Sequence, residues 1–162
     1  MAAGATYEPI ATTTLGSATN SVTFSSISGS YTDIVMICGY SHSTASNILL
    51  RVNGDTGTNY SNTYLEGLNS AAGSGRDSNK AQINIGYSFD TNINTNILHF
   101  MNYSNTTTYK TVLSRQGNPS SYIAATVGLW RSTSAITSIN VYASNGNFNS
   151  NSVFTLYGIK AA

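Results

Sequence analysis

Along most of this chain hydrophobic and polar residues alternate one by one, and a period of two marks strands with one wet face and one dry face. In residues 47–53, Ile48, Leu50 and Val52 share a face while Asn47, Arg51 and Asn53 lie opposite. Residues 82–87 set Ile83, Ile85 and Tyr87 against Gln82, Asn84 and Gly86. Val22 and Phe24 alternate with Ser21, Thr23 and Ser25, and Ile139, Val141 and Ala143 alternate with Ser138, Asn140 and Tyr142. Four further segments, 34–40, 97–103, 122–130 and 153–159, carry apolar residues at neighbouring positions as well. That pattern is expected of central strands covered on both faces, or of strands that meet a partner subunit. Residues 109–113 form a weaker strand candidate.

Turn-forming clusters stand between these runs, at 28–30, 53–57, 69–79, 90–96, 116–119 and 145–147. Gly and Asn tolerate positive φ and Pro pre-sets φ, so each cluster can reverse the chain. The pattern predicts an all-β fold, an antiparallel β-sandwich of jelly-roll type with roughly eight to ten strands. Pro occurs only at 9 and 119 and interrupts no central strand. Residues 1–14 are small and lose clear alternation after Tyr7, so they read as an extended N-terminal arm or an edge strand, with 15–162 as a single domain.

Composition supports this. A chain of 162 residues has room for one domain. It holds 24 Ser, 21 Thr and 19 Asn, while only 8% of residues are charged, against about 25% in an average protein. Two Glu and three Lys are too few to coat several helices. Hydrophobic residues at 40% exclude general disorder. A net charge of +1 offers no footprint for phosphates, which excludes nucleic acid as a partner. The longest apolar run, 34–40, falls far short of the ~20 residues of a membrane helix. The first twenty residues lack a basic start and an apolar stretch, so no secretory leader is expected, and synthesis in the cytoplasm of the cell that makes it is.

Candidate chemistry is sparse. Cys38 lies inside an apolar run and reads as a small buried hydrophobe. His42 and His99 stand alone in or beside strands, where a structural role is the common one. The stretch 71–76 matches no phosphate-binding motif, since no Gly-Lys-Ser/Thr follows its glycines, and reads as a flexible loop. Residues 53–59 place oxygen ligands at alternate positions but lack the carboxylates and terminal Glu of a calcium loop, so a tight turn is expected. Asn-x-Ser/Thr triplets at 59, 102 and 105 are no more frequent than this composition generates by chance, and the same holds for the repeated pentapeptide at 59–63 and 102–106. No catalytic residue, metal site or cofactor is expected, and the chain does not read as an enzyme. What remains is adhesive surface: eleven Tyr, one Trp and many short polar side chains have little rotamer freedom to lose on contact.

The opening Tyr7-Glu8-Pro9-Ile10-Ala11-Thr12-Thr13-Thr14-Leu15-Gly16-Ser17, the segments Val22-Thr23-Phe24-Ser25-Ser26-Ile27, Tyr31-Thr32-Asp33-Ile34-Val35 and Asn59-Tyr60-Ser61, and the ending Phe154-Thr155-Leu156-Tyr157-Gly158-Ile159-Lys160 resemble small virion proteins of tailed bacteriophages. The resemblance implies a β-rich protein of the outer virion surface. It implies a capsid decoration, or cement, protein that binds the major capsid protein, ties neighbouring capsomers together and is itself a homotrimer. Under that reading Tyr7, Glu8, Pro9 and Ile10 of the arm anchor the shell. The alternative is a tail-fibre or receptor-binding module for host-surface glycans, with Tyr60, Tyr64 and Trp130 as the surface rings that stack on sugars.

Overall fold

Residues 6–89 and 91–160 are described by a computed structural model, and among them the alternating segments become strands and no helix forms. In chain order these are β1 (Tyr7–Thr14), β2 (Ser21–Phe24), β3 (Asp33–Tyr40), β4 (Ser46–Val52), β5 (Tyr60–Leu68), β6 (Ala71–Lys80), β7 (Ile83–Ser88), β8 (Asn94–Met101), β9 (Lys110–Asn118), β10 (Tyr122–Trp130), β11 (Ile139–Ala143) and β12 (Val153–Ile159). They pair antiparallel into two sheets, one ordered β1-β12-β3-β8-β9-β10-β5-β6 and the other β2-β11-β4-β7. The protein is therefore an all-β antiparallel sandwich with one layer twice as wide as the other.

The core lies where both layers overlap. Val22, Phe24, Ile48, Leu50, Val52, Ile139 and Val141 of the smaller sheet meet Ile34, Met36, Leu98, Phe100, Phe154 and Leu156 of the larger one. Each such side chain contributes about 1.5–3 kcal/mol by leaving water. Tyr40, Phe148 and Phe154 close one end of this core with centroids 5.1–6.1 Å apart. Cys38 is buried on the same inner face, where burial pushes its thiol pKa up.

Two hairpins, β5–β6 and β9–β10, carry the larger sheet beyond its partner, and β7 is the strand of the smaller sheet that makes most contact with them. Gly128 lets β7 come close, since a Cβ there would sit 2.7 Å from the Ile83 side chain. Beneath β7 the contact is polar. Ser114 Oγ donates to Asn96 Oδ1 (2.8 Å), and Asn96 Nδ2 donates to the Ile85 carbonyl (3.0 Å). Gln116 receives the Tyr87 N–H on its Oε1 (2.7 Å) and donates from Nε2 to the Tyr87 carbonyl (2.8 Å). Its amide thus pairs with Tyr87 as another strand residue would. Gly86 makes this possible: its φ of +148° is open to glycine, and any Cβ would overlap the Gln116 side-chain oxygen.

Several expected boundaries move. The stretch 71–76 is not a loop but part of β6, an edge strand in register with β5. Small residues reach an extended conformation there because the backbone ladder to β5, not side-chain pattern, holds them. The cluster 116–119 continues β9 as far as Asn118, and the reversal follows at Pro119. β8 begins at Asn94, inside the expected turn 90–96, of which Asp90 lies outside the described residues. Residues 7–14 are the edge strand β1 along β12 rather than a free arm; residues 1–5 lie outside the described residues.

Candidate interaction surfaces

Strands β8, β9, β10 and β5 invert the usual arrangement of a sandwich. Their inner face, under β7, carries Asn94, Asn96, Ser114, Gln116, Thr126 and Asn62, all buried. Their outer face carries Ile97, Leu113, Ile123, Val127 and Leu65. Of these Leu65 is 66% exposed, Ile123 65% and Val127 49%, and Ile37 on neighbouring β3 is 40% exposed. Residues 97–103 and 122–130, expected either to be covered on both faces or to meet a partner subunit, are thus covered on one face. Antiparallel sheets normally turn their polar side to water, and a contiguous apolar face of several strands marks an interaction surface.

A depression of about 490 Å³ lies on this face, walled by Leu65, Ile97, Leu113 and Val127 and floored in part by Ala125. The small Ala125 and Thr63 make it concave. Arg115 stands exposed within this face, between Ile97 of β8 and Ala125 of β10, and His99 has Nε2 3.2 Å from Asp33 Oδ2. Asp33 also accepts the Asn102 N–H at 2.6 Å, so its carboxylate is committed to the end of β8.

The expected anchor residues sit far from this depression, on the β1 edge. Tyr7 is exposed and meets Tyr157 edge-on with centroids 6.4 Å apart. Glu8 pairs with Lys160 at 2.6 Å, which holds the ammonium above its ordinary pKa. Pro9 lies just before a register shift, and Ile10 packs against the core. A proline and a bulge both discourage further strands from adding to an edge. The backbone of these residues is taken up by β12, so an anchor here acts through exposed side chains rather than a reaching segment.

Of the three rings expected at the surface, two are inside. Tyr60 is fully buried and stacks on Trp130, itself buried, at 6.5 Å. The Tyr60 hydroxyl accepts the Val52 N–H (3.3 Å) and donates to the Asp55 carbonyl (3.1 Å). The Trp130 indole N–H donates to Asp55 Oδ2 (2.7 Å). Both rings are pulled inward because they face β4 at the end of the core, and their polar tips find partners in the 53–57 turn. Tyr64 alone is partly exposed.

That turn is tight. Asn53 and Gly54 both have positive φ, +53° and +65°, and the Asp55 N–H returns to the Val52 carbonyl at 3.0 Å. The Asp55 carboxylate is engaged by the N–H groups of Trp130, Asn59 and Gly57. Among the described residues no three His, Cys, Asp or Glu side chains gather to hold a metal ion, and no helix is long and apolar enough to cross a membrane.

A second feature, absent from the sequence reading, is a groove of about 330 Å³ between β7 and the inner face of β5 and β10. Tyr87, Phe89 and Tyr122 form a tilted aromatic wall, with centroids 4.3 Å and 5.2 Å apart. Tyr122 donates its hydroxyl to Glu66 Oε2 at 2.9 Å. Only the alternation of Tyr64 and Glu66 opposite Gly75 and Gly73 could have signalled it, and that pairing needs the register of β5 with β6. The sequence matches no family model and no curated protein significantly.

Proposed function

We propose that this protein is a structural protein of a bacteriophage virion, a capsid decoration protein that self-associates as a trimer and sits on the outer head surface. The observation that carries the self-assembly is the apolar outer face of β3, β8, β9, β10 and β5. Five strands at about 4.8 Å spacing and about 26 Å long give a projected face of about 600 Å². That approaches the ~800 Å² per partner of a standard interface. The occupant best suited to it is a second copy of the same chain, because a rotational oligomer buries the same apolar strip in every subunit.

Strand order supports the same class of part. With the hairpins β5–β6 and β9–β10 set aside, β1-β12-β3-β8 lies over β2-β11-β4-β7, the interleaved order of a jelly roll. Contact with the major capsid protein is assigned to the β1 edge, where Tyr7 and Pro9 are exposed. Several such modest contacts per trimer add to a firm clamp. Mixing the purified protein with undecorated, tailed particles and reconstructing them tests this. Trimeric density over capsomer junctions is the expected result; density confined to the tail favours the fibre reading, and binding to neither overturns the proposal.

A further inference from the structure

We propose that the groove between β7 and the β5–β10 pair is a sugar subsite, for a neutral hexopyranose unit of a polysaccharide. The reading goes beyond self-assembly and uses the opposite side of the larger sheet, so the groove stays open when the outer apolar face is covered.

Three observations carry it. The first is the aromatic wall. Tyr64, Tyr87, Phe89 and Tyr122 all line the groove, the first three partly exposed and Tyr122 largely buried behind Phe89, and the C–H face of a pyranose packs on such exposed rings. The rings are held. Gln116 fixes the Tyr87 backbone through both its N–H and its carbonyl. Tyr64 lies across edge strand β6 at Gly75, where a Cβ would come within 2.6 Å of its ring, an arrangement in which an aromatic covers an edge glycine.

The second observation is the polar complement. Glu66 lies over Gly73 in the same manner and keeps its carboxylate at the groove, where Oε2 accepts from Tyr122. A carboxylate offers about four acceptor positions, so capacity is left for ligand hydroxyls. On the opposite wall Asn84 Nδ2 donates to Asn47 Oδ1 at 3.1 Å, and both amides border the groove. A carboxylate acceptor, amide groups and aromatic rings around one groove match a ring that has hydroxyls around its rim and C–H groups on its face.

The third is charge and size. Glu66 is the one charged side chain lining the groove among the described residues. Phosphates, uronates and nucleotides would meet a carboxylate with no cation beside it, so the ligand is neutral. A volume of about 330 Å³ lies at the small end of the ~300–1,000 Å³ of ligand pockets, which suits one or two sugar rings rather than a long chain. A single subsite of this kind binds weakly, and three copies in a trimer would raise the avidity.

The test is NMR titration of the whole protein, with labelled tyrosine rings, against maltohexaose, cellohexaose and chitohexaose, and polygalacturonate as the anionic comparison. At least one neutral hexamer is expected to shift the rings of Tyr64, Tyr87 and Tyr122, with polygalacturonate shifting none. Tyr87→Ala is expected to weaken binding tenfold or more. Because that variant also loosens β7, Tyr64→Leu, which keeps bulk over Gly75 and removes the ring, is the second: several-fold weaker binding with an unchanged melting temperature. Silence of these rings towards all three hexamers, or undiminished affinity in Tyr64→Leu, overturns the assignment. Neither result depends on whether the protein sits on heads or tails.

Discussion

Asp55 organises one end of the core by receiving three N–H donors, and its titration is the clearest charge effect in the fold. The Trp130 indole first, then the Asn59 amide and the Gly57 N–H, hold its carboxyl below the usual carboxylate value, which is about 3.9 in a free peptide. A folded pKa below the unfolded one means that the native state favours the ionised form. The resulting stability is present above about pH 4 and is lost as pH falls through the folded value. Asp55→Ala also leaves the indole N–H of buried Trp130 without its partner, at a cost of about 1–3 kcal/mol at neutral pH. Urea denaturation at pH 7 and across pH 5 to about 3 checks both: the variant starts lower and loses less on acidification. Equal acid sensitivity in the two proteins would remove Asp55 from the account.

At the scale of elements, β1 decides how far the N-terminal segment is separable. An appendage would detach without consequence, but β1 pairs with β12 from Tyr7↔Ile159 to Thr14↔Val153 and sets Ile10 and Ala11 against the core. Removing residues 1–14 uncovers the backbone of β12, which lacks the proline and bulge that guard β1. The truncated protein is expected to melt several degrees lower and to associate through the bared edge; circular dichroism and light scattering read the two effects. Truncation without loss of melting temperature would restore the free-arm picture. β6 makes the complementary point: with Gly73 and Gly75 it has weak strand propensity of its own, and pairing with β5 supplies what sequence pattern does not.

For the whole molecule, the unequal width of the two sheets is the governing feature. The smaller sheet is half as wide as the larger, so over β9, β10 and β5 the inner face meets chiefly its edge strand β7, across a polar network, while the outer face keeps its apolar side chains. Replacing Leu65, 66% exposed, and Val127, 49% exposed, by Lys adds two charges to that face. The double variant is expected to sediment as a folded monomer and the parent as a trimer, with only weak dependence of the parent on salt because few charges line the face. A parent that stays monomeric at high concentration would withdraw the self-association reading.

The all-β class was legible in the sequence because it rests on local chemistry. Alternation at 47–53, 82–87 and 139–143 requires strands, and scarce Glu and Lys disfavour helices, whatever the strands pair with. The same local signal failed for β9 and β8, where Ser114, Gln116, Asn94 and Asn96 point inward and Leu113 and Ile97 point outward. A period of two states that a strand has two unlike faces, and only packing states which one is inside. Tyr60 and Trp130 show this for single residues: as amphipathic rings they suit a surface or a core equally, and the Asp55 turn settles them in the core. The groove likewise arises from residues 64–66, 87–89 and 122, brought together by sheet order alone. Local periodicity therefore determined most of the strands, and the tertiary structure decided the rest and which faces meet water, since burial belongs to pairs of surfaces and no single segment contains both.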